Sequence, residues 1–172
     1  MKNILFVPHP ILRKKAKILP KITSEDVKIS QKMIDIMLKA PGVGLAANQI
    51  GILKKIVTVH IQNKEKEKEK DIIYSMFNPK ITFFSSENTI MEEGCLSLPQ
   101  QYAEVKRSEN IIVDYVDENN KNIEKAVSGF EARVLQHEID HLDGKLFIDY
   151  LSSLKRNKLI KRVIKLKKLG EI

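Results

Sequence analysis

From Ser128 to Leu142 the apolar residues Phe130, Ala132, Val134, Leu135, Ile139 and Leu142 recur at helical spacing around most of the circumference. A helix that is apolar on several sides has to be enclosed by the rest of its chain. The remainder must therefore supply a shell, and 172 residues are enough for one domain that buries roughly 70% of its unfolded surface. The segments available for that shell are short. IVTVHI (56–61), IIYSMF (72–77), ITFF (81–84), YAEVKR (102–107) and IIVDYV (111–116) read as strands, separated by turn-formers such as Asn78-Pro79 and DENN at 117–120. With no long helical pattern between them, they predict antiparallel sheets rather than βαβ units.

Two further helices flank this region. Thr23 and Asp26 form a capping signal before VKISQKMIDIMLKA, whose Val27, Met33, Ile34, Met37 and Leu38 give an amphipathic pattern that ends at Pro41-Gly42. GVGLAANQIG follows and reads as a loop, with Gly42, Gly44 and Gly51 at bends or close approaches. Gly144 stops the central helix, and Ser152 or Ser153 caps a last one running to about Leu169. Residues 64–70, KEKEKEK, have no apolar face and read as a solvated tip between strands. No internal repeat or linker divides the chain, which is read as one domain over 1–172 with residues 152–172 as its basic C-terminal helix.

The strongest chemical signal lies on the enclosed helix. His137-Glu138-Ile139-Asp140-His141 is an H-E-x-x-H, and a spacing of four residues puts both imidazoles on one face, able to share a metal ion, with Glu138 beside them. The bland reading is a pair of histidines that merely satisfy hydrogen bonds. A catalytic ion generally takes three protein ligands and keeps a position open. His9 and His60 lie far upstream, and the acids downstream of the motif have no characteristic spacing. Cys95, the single cysteine, excludes an internal disulfide and is the better third candidate, because thiolates bind zinc and iron(II) well. Taken alone, the same cysteine also fits a small core residue.

GVGLAANQ (42–49), EGCLSLP (93–99) and QHEIDH (136–141) resemble, in order and spacing, the three motifs of the peptide deformylase family, and the similarity extends over essentially the whole chain. The resemblance implies an α+β fold, with antiparallel sheets around the motif helix. It implies that Cys95, His137 and His141 bind the metal, that Glu138 is the acid/base, and that Gln49 contacts the reacting formyl oxygen, with the backbone N–H of Leu96 suited to help. The family's usual metal is iron(II), with zinc, nickel or cobalt as substitutes. The implied reaction removes the formyl group from the N-terminal formyl-methionine of nascent polypeptides. An extended peptide would lie along Gly44 and the backbone near Ser97, and Phe130 and Val134 would line the methionine pocket, although core packing serves equally for those two. A Glu93–Arg107 ion pair would brace the Cys95 loop. Two positions depart from the pattern: Arg133 stands where many relatives carry an aliphatic residue at the pocket rim, and Tyr102 where some carry an arginine near the substrate.

Other readings make different demands. A metallopeptidase could use the same H-E-x-x-H but would not need both the GLAANQ and EGCLSLP segments, whereas a structural zinc needs a fourth ligand that is not evident. An inactive metal-binding relative is a further alternative. The formal charge of +8 is concentrated: residues 152–172 hold eight basic residues and one acid, so the rest is nearly neutral. That cluster suggests a contact with ribosomal RNA near the peptide exit, or simply a solvated basic face. No apolar run approaches the roughly 18 residues of a membrane span, and the lysines and arginines of MKNILFVPHPILRKKA follow its apolar stretch, the reverse of a secretory signal. A soluble, cytoplasmic monomer is expected.

Overall fold

A computed structural model describes residues 4–62 and 71–172; the KEKEKEK tip lies outside the described residues. Helix α1 (Ser24–Lys39) starts as its sequence requires, with the Thr23 hydroxyl accepting from the Asp26 amide and the Asp26 carboxylate accepting from Thr23. Its buried face, including Met33, Ile36 and Met37, packs on one side of a five-stranded sheet. The order there is β1 (Gly44–Ala46), β2 (Ile56–Ile61), β3 (Ile72–Phe84), β6 (Asn110–Val116) and β7 (Asn122–Ser128), all antiparallel. Strands β4 (Asn88–Cys95) and β5 (Leu98–Ser108) form a separate two-stranded ribbon. The expected antiparallel architecture is therefore present.

Three local expectations need correction. Residues 72–77 and 81–84 are one strand, because Asn78-Pro79 does not reverse the chain. There β3 changes partners, from β2 up to Phe77 to β6 beyond it, with register shifts that absorb the irregularity. The Asn78 side chain is held on both sides by the Leu19 backbone, at 2.8 Å each. Second, GVGLAANQIG is not an open loop: it contains β1 and a short 3-10 turn, Ala47–Ile50. Third, the strand expected at 102–107 begins four residues earlier, at Leu98, so EGCLSLP forms the tip of the β4–β5 hairpin.

Helix α2 (Gly129–Leu142) lies inside this shell, and ten of its fourteen residues are buried. Ala132, Val134, Leu135, Ile139 and Leu142 meet the inner face of the five-stranded sheet through Val57, Val59, Met76, Ile111 and Val113. Gly144, at φ 74°, ends the helix where a Cβ would strike the Arg13 carbonyl, so glycine is required twice over. A 3-10 turn, Phe147–Tyr150, occupies the LFIDYL stretch. Helix α3 (Ser153–Leu169), capped by Ser152, buries only Leu159 and Val163, against the ribbon side of the molecule. No described helix is long and apolar enough to cross a membrane.

Candidate metal centre and active-site cleft

The enclosed helix and the ribbon tip bring three donors together. His137 and His141 emerge one turn apart with ring centroids separated by 5.0 Å, and Phe147 stacks on His137 with centroids 6.0 Å apart. Cys95, at the end of β4, places Sγ 3.2 Å from His141 Nε2. One donor atom from each of Cys95, His137 and His141 lies within 4.8 Å of the others. Donors bound at 2.0–2.3 Å to one tetrahedral ion stand about 3.5 Å apart, so this set fits a single divalent cation with little adjustment.

His137 is oriented from behind. Its Nδ1 lies 2.9 Å from Glu93 Oε2, and a carboxylate only accepts, so Nδ1 carries the proton and Nε2 offers its lone pair to the centre. Glu93 is in turn held by Arg107, through Nε to Oε1 at 2.6 Å and Nη2 to Oε2 at 3.0 Å, with both side chains almost fully buried. The expected ion pair is thus present. Burial alone would raise the Glu93 pKa, but the bonds from His137 and Arg107 prevail and hold it well below the usual carboxylate range. Burial lowers His141 well below the ordinary imidazole value; on His137 burial is outweighed by Cys95 and Glu93, and the pKa rises. A divalent cation would compete with protons for these donor atoms.

Glu138 stands beside the donors. It is 5% exposed, its Oε2 has no hydrogen-bond partner among the described residues, and burial pushes its pKa up to about 7. That value suits a group that must both accept and return a proton near neutral pH. Strand β1 passes so close that a Cβ on Gly44 would overlap the Glu138 carboxylate. Gln49 approaches from the 3-10 turn: its Oε1 accepts from the Ala46 amide at 2.8 Å, while Nε2 reaches Ser97 Oγ at 3.2 Å and Cys95 Sγ at 3.5 Å.

A cleft of about 450 Å³ opens onto these groups, with Gly44, Gln49, Cys95, Leu96, His137 and Glu138 in its lining. His141, 1% exposed, sits behind it. Tyr102 is on its rim, 61% exposed, with its ring edge over Gly94. Three sequence candidates are not brought to the lining. Ser97 is buried, its carbonyl taken by the Val7 amide and its hydroxyl by Gln49. Val134 belongs to the core against the sheet, and Phe130 is 48% exposed at the start of α2. Arg133 is not at a pocket rim either, since it is buried and turned toward Glu93. The reach of Arg107 to Asp140, at 2.7 Å, was not foreseen; the only sequence signal was an acid inside the H-E-x-x-H.

A buried carboxylate beside two histidines and a cysteine, opening onto a cleft, is the side-chain set of a metal-dependent hydrolase. The polypeptide deformylase family model matches residues 1–157. A peptide deformylase from Rhizobium meliloti (strain 1021) is 41% identical over 165 residues, 96% of this chain and 93% of the relative. The crystal structure of peptide deformylase from Ehrlichia chaffeensis superposes with a TM-score of 0.93 at 33% identity, covering 99% of this chain and 98% of the other. That of a peptide deformylase from Legionella pneumophila gives 0.85 at 38% identity, covering 98% and 96%. The chain belongs to the polypeptide deformylase family, metal-dependent hydrolases that remove the N-formyl group from nascent peptides.

Proposed function

We propose that Cys95, His137 and His141 bind one divalent ion, natively iron(II) with zinc, nickel or cobalt as substitutes, and that Glu138 is the proton carrier for deformylation. The observation that carries this reading is Glu138 itself: a buried carboxylate with an oxygen that has no partner among the described residues, in a cleft shared with two of the three donors. A divalent ion held there supplies Lewis acidity and lowers the pKa of a water to about 7. Glu138 accepts the proton of the attacking water. As the formyl carbon becomes tetrahedral, its oxygen gains charge, and the Gln49 Nε2–H and the Leu96 backbone N–H are the donors suited to it. Glu138 then returns the proton to the departing amine as the C–N bond breaks, leaving formate and a free methionine N-terminus.

The peptide lies along Gly44 and the main chain of the 95–97 turn, so recognition reads backbone and spares most side chains. The polar engagement of Ser97 with Val7 and Gln49 supports a role in holding Gln49 rather than direct substrate contact. The crystal structure of the Ehrlichia chaffeensis protein in complex with actinonin, 35% identical and at a TM-score of 0.89, supports a cleft that accepts a ligand in this family. The whole of 1–172 acts as one cytoplasmic, monomeric catalytic unit, and the basic face of α3 contacts ribosomal RNA.

The test is formate release from a formyl-Met peptide by anaerobically purified protein, measured per metal equivalent. Turnover should track bound iron(II), and Cys95→Ser should lose iron, because a hydroxyl is harder and far less acidic than a thiol. Full iron occupancy and undiminished turnover in Cys95→Ser would remove Cys95 from the ligand set.

A further inference from the structure

The Cys95 ligand and the two histidines arrive on different elements, β4 and α2, so the size of the donor triangle depends on what fastens the ribbon to the helix. Arg133 lies one helical turn before His137 on the same face. Its Nη1 donates to Glu93 Oε1 at 2.9 Å and to the Val105 carbonyl at 2.7 Å. Its Nη2 donates to Thr89 at the carbonyl, 2.8 Å, and at Oγ1, 3.0 Å. One guanidinium therefore grips both strands of the ribbon, at Thr89 on β4 and Val105 on β5, and also the carboxylate that orients His137.

With Arg107 and His137, Arg133 completes the set of four donors around Glu93, two on each oxygen. Because Arg133 and Arg107 Nε occupy Oε1, Oε2 is left for Arg107 Nη2 and His137 Nδ1. An aliphatic side chain would supply none of this and would leave the Thr89 and Val105 carbonyls short of a donor. A lysine could reach one or two of these acceptors but not the whole set, since it lacks the planar fork.

We infer that Arg133 is a positioning residue for the metal centre: by pinning β4 and β5 to α2 it sets the separation of the Cys95 thiolate from His137 and His141, and hence the grip of the site on a divalent ion. The inference rests on Cys95, His137 and His141 being the ligands. Arg133→Met and Arg133→Lys, in the full chain, are stripped of metal and loaded with cobalt(II), whose visible bands report ligand geometry and whose near-ultraviolet charge-transfer band reports a bound thiolate. Arg133→Met should bind cobalt(II) about 10- to 100-fold more weakly in competition with a chelator, as loss of groups that orient ligands typically does, and its visible bands should shift. Arg133→Lys should fall between Arg133→Met and wild type. Wild-type bands and affinity in both variants overturn the inference, even if both melt earlier, because a merely structural arginine would lower stability without moving the cobalt signature. If Arg133→Met fails to fold, Arg133→Lys decides alone: altered bands support the inference, and wild-type bands and affinity overturn it. A wild-type protein without the charge-transfer band refutes the ligand set itself, and this inference with it.

Discussion

Helices α2 and α3 are of similar length, 14 and 17 residues, and both are rich in polar groups, yet they use charge in opposite ways. On α2 the structural ionic side chains are inward and answered, Arg133 by Glu93, Thr89 and Val105, Asp140 by Arg107 and His137 by Glu93, while Glu138 keeps one oxygen without a partner among the described residues. On α3 only Leu159 and Val163 are buried, and seven of its eight basic residues are exposed, Arg156 being half-buried within 3.9 Å of Asp149. Buried charge is costly unless each partner is in place, so it specifies position; exposed charge costs little and acts at long range. The contrast predicts a graded series of responses.

Glu138→Gln should show the largest effect. The amide keeps the shape of the side chain and removes the proton acceptor, so turnover should fall by about 100- to 10,000-fold while metal content stays that of wild type. A variant retaining more than about a tenth of wild-type turnover refutes Glu138 as the base. Next, Arg107→Met leaves Glu93 and Asp140 with a lost partner in the interior, and chemical denaturation should register a loss of about 3–5 kcal/mol. A loss below about 1 kcal/mol would mean that the α2 network behaves like surface charge, and the comparison would collapse.

Leu159→Ala tests the apolar side of α3, where truncation of a buried leucine should cost about 2–3 kcal/mol, at the low end for such sites because Leu159 keeps 8% of its surface exposed. The basic side should be least sensitive. Replacing Lys158, Lys161, Arg162 and Lys165 together by glutamine should change stability by less than about 0.5 kcal/mol per site and leave turnover of a short formyl-Met peptide intact. The same variant should sediment less with ribosomes at low salt, and wild-type binding should weaken with salt at a log–log slope near −0.9 per phosphate contact for duplex-like RNA. Unchanged co-sedimentation would leave α3 as a solvated face, and lost turnover would show that its charges support the catalytic unit.

Elements with a strong local code were legible in the sequence. The Thr23–Asp26 cap, the alternation of IVTVHI and the all-round apolarity of α2 each specify structure over a few residues, and α1, β2 and α2 follow. H-E-x-x-H placed two imidazoles and a carboxylate for the same reason, while Cys95 needed the resemblance of the whole EGCLSLP segment. Strands β4 and β7 were not seen because NTIMEEGC and NIEKAVS stay largely exposed, so pairing with a neighbouring strand rather than an apolar face defines them. Arg133 was misplaced because nothing within α2 indicates that Glu93, forty residues earlier, is waiting for it. Long-range polar partnerships leave little trace in periodicity.

The anchoring of Gln49 has a consequence for the direction of polarity in the cleft. An amide has two ends of nearly equal size and opposite sense, and the Ala46 N–H selects between them by binding Oε1. The end presented to Cys95 and the cleft is therefore always the one that gives hydrogen bonds. A glutamate at position 49 would keep the same anchor and the same reach while presenting an acceptor where a donor belongs. The main chain of β1 thus acts as a rectifier: it makes the cleft receptive to negative charge at that point, whichever peptide enters.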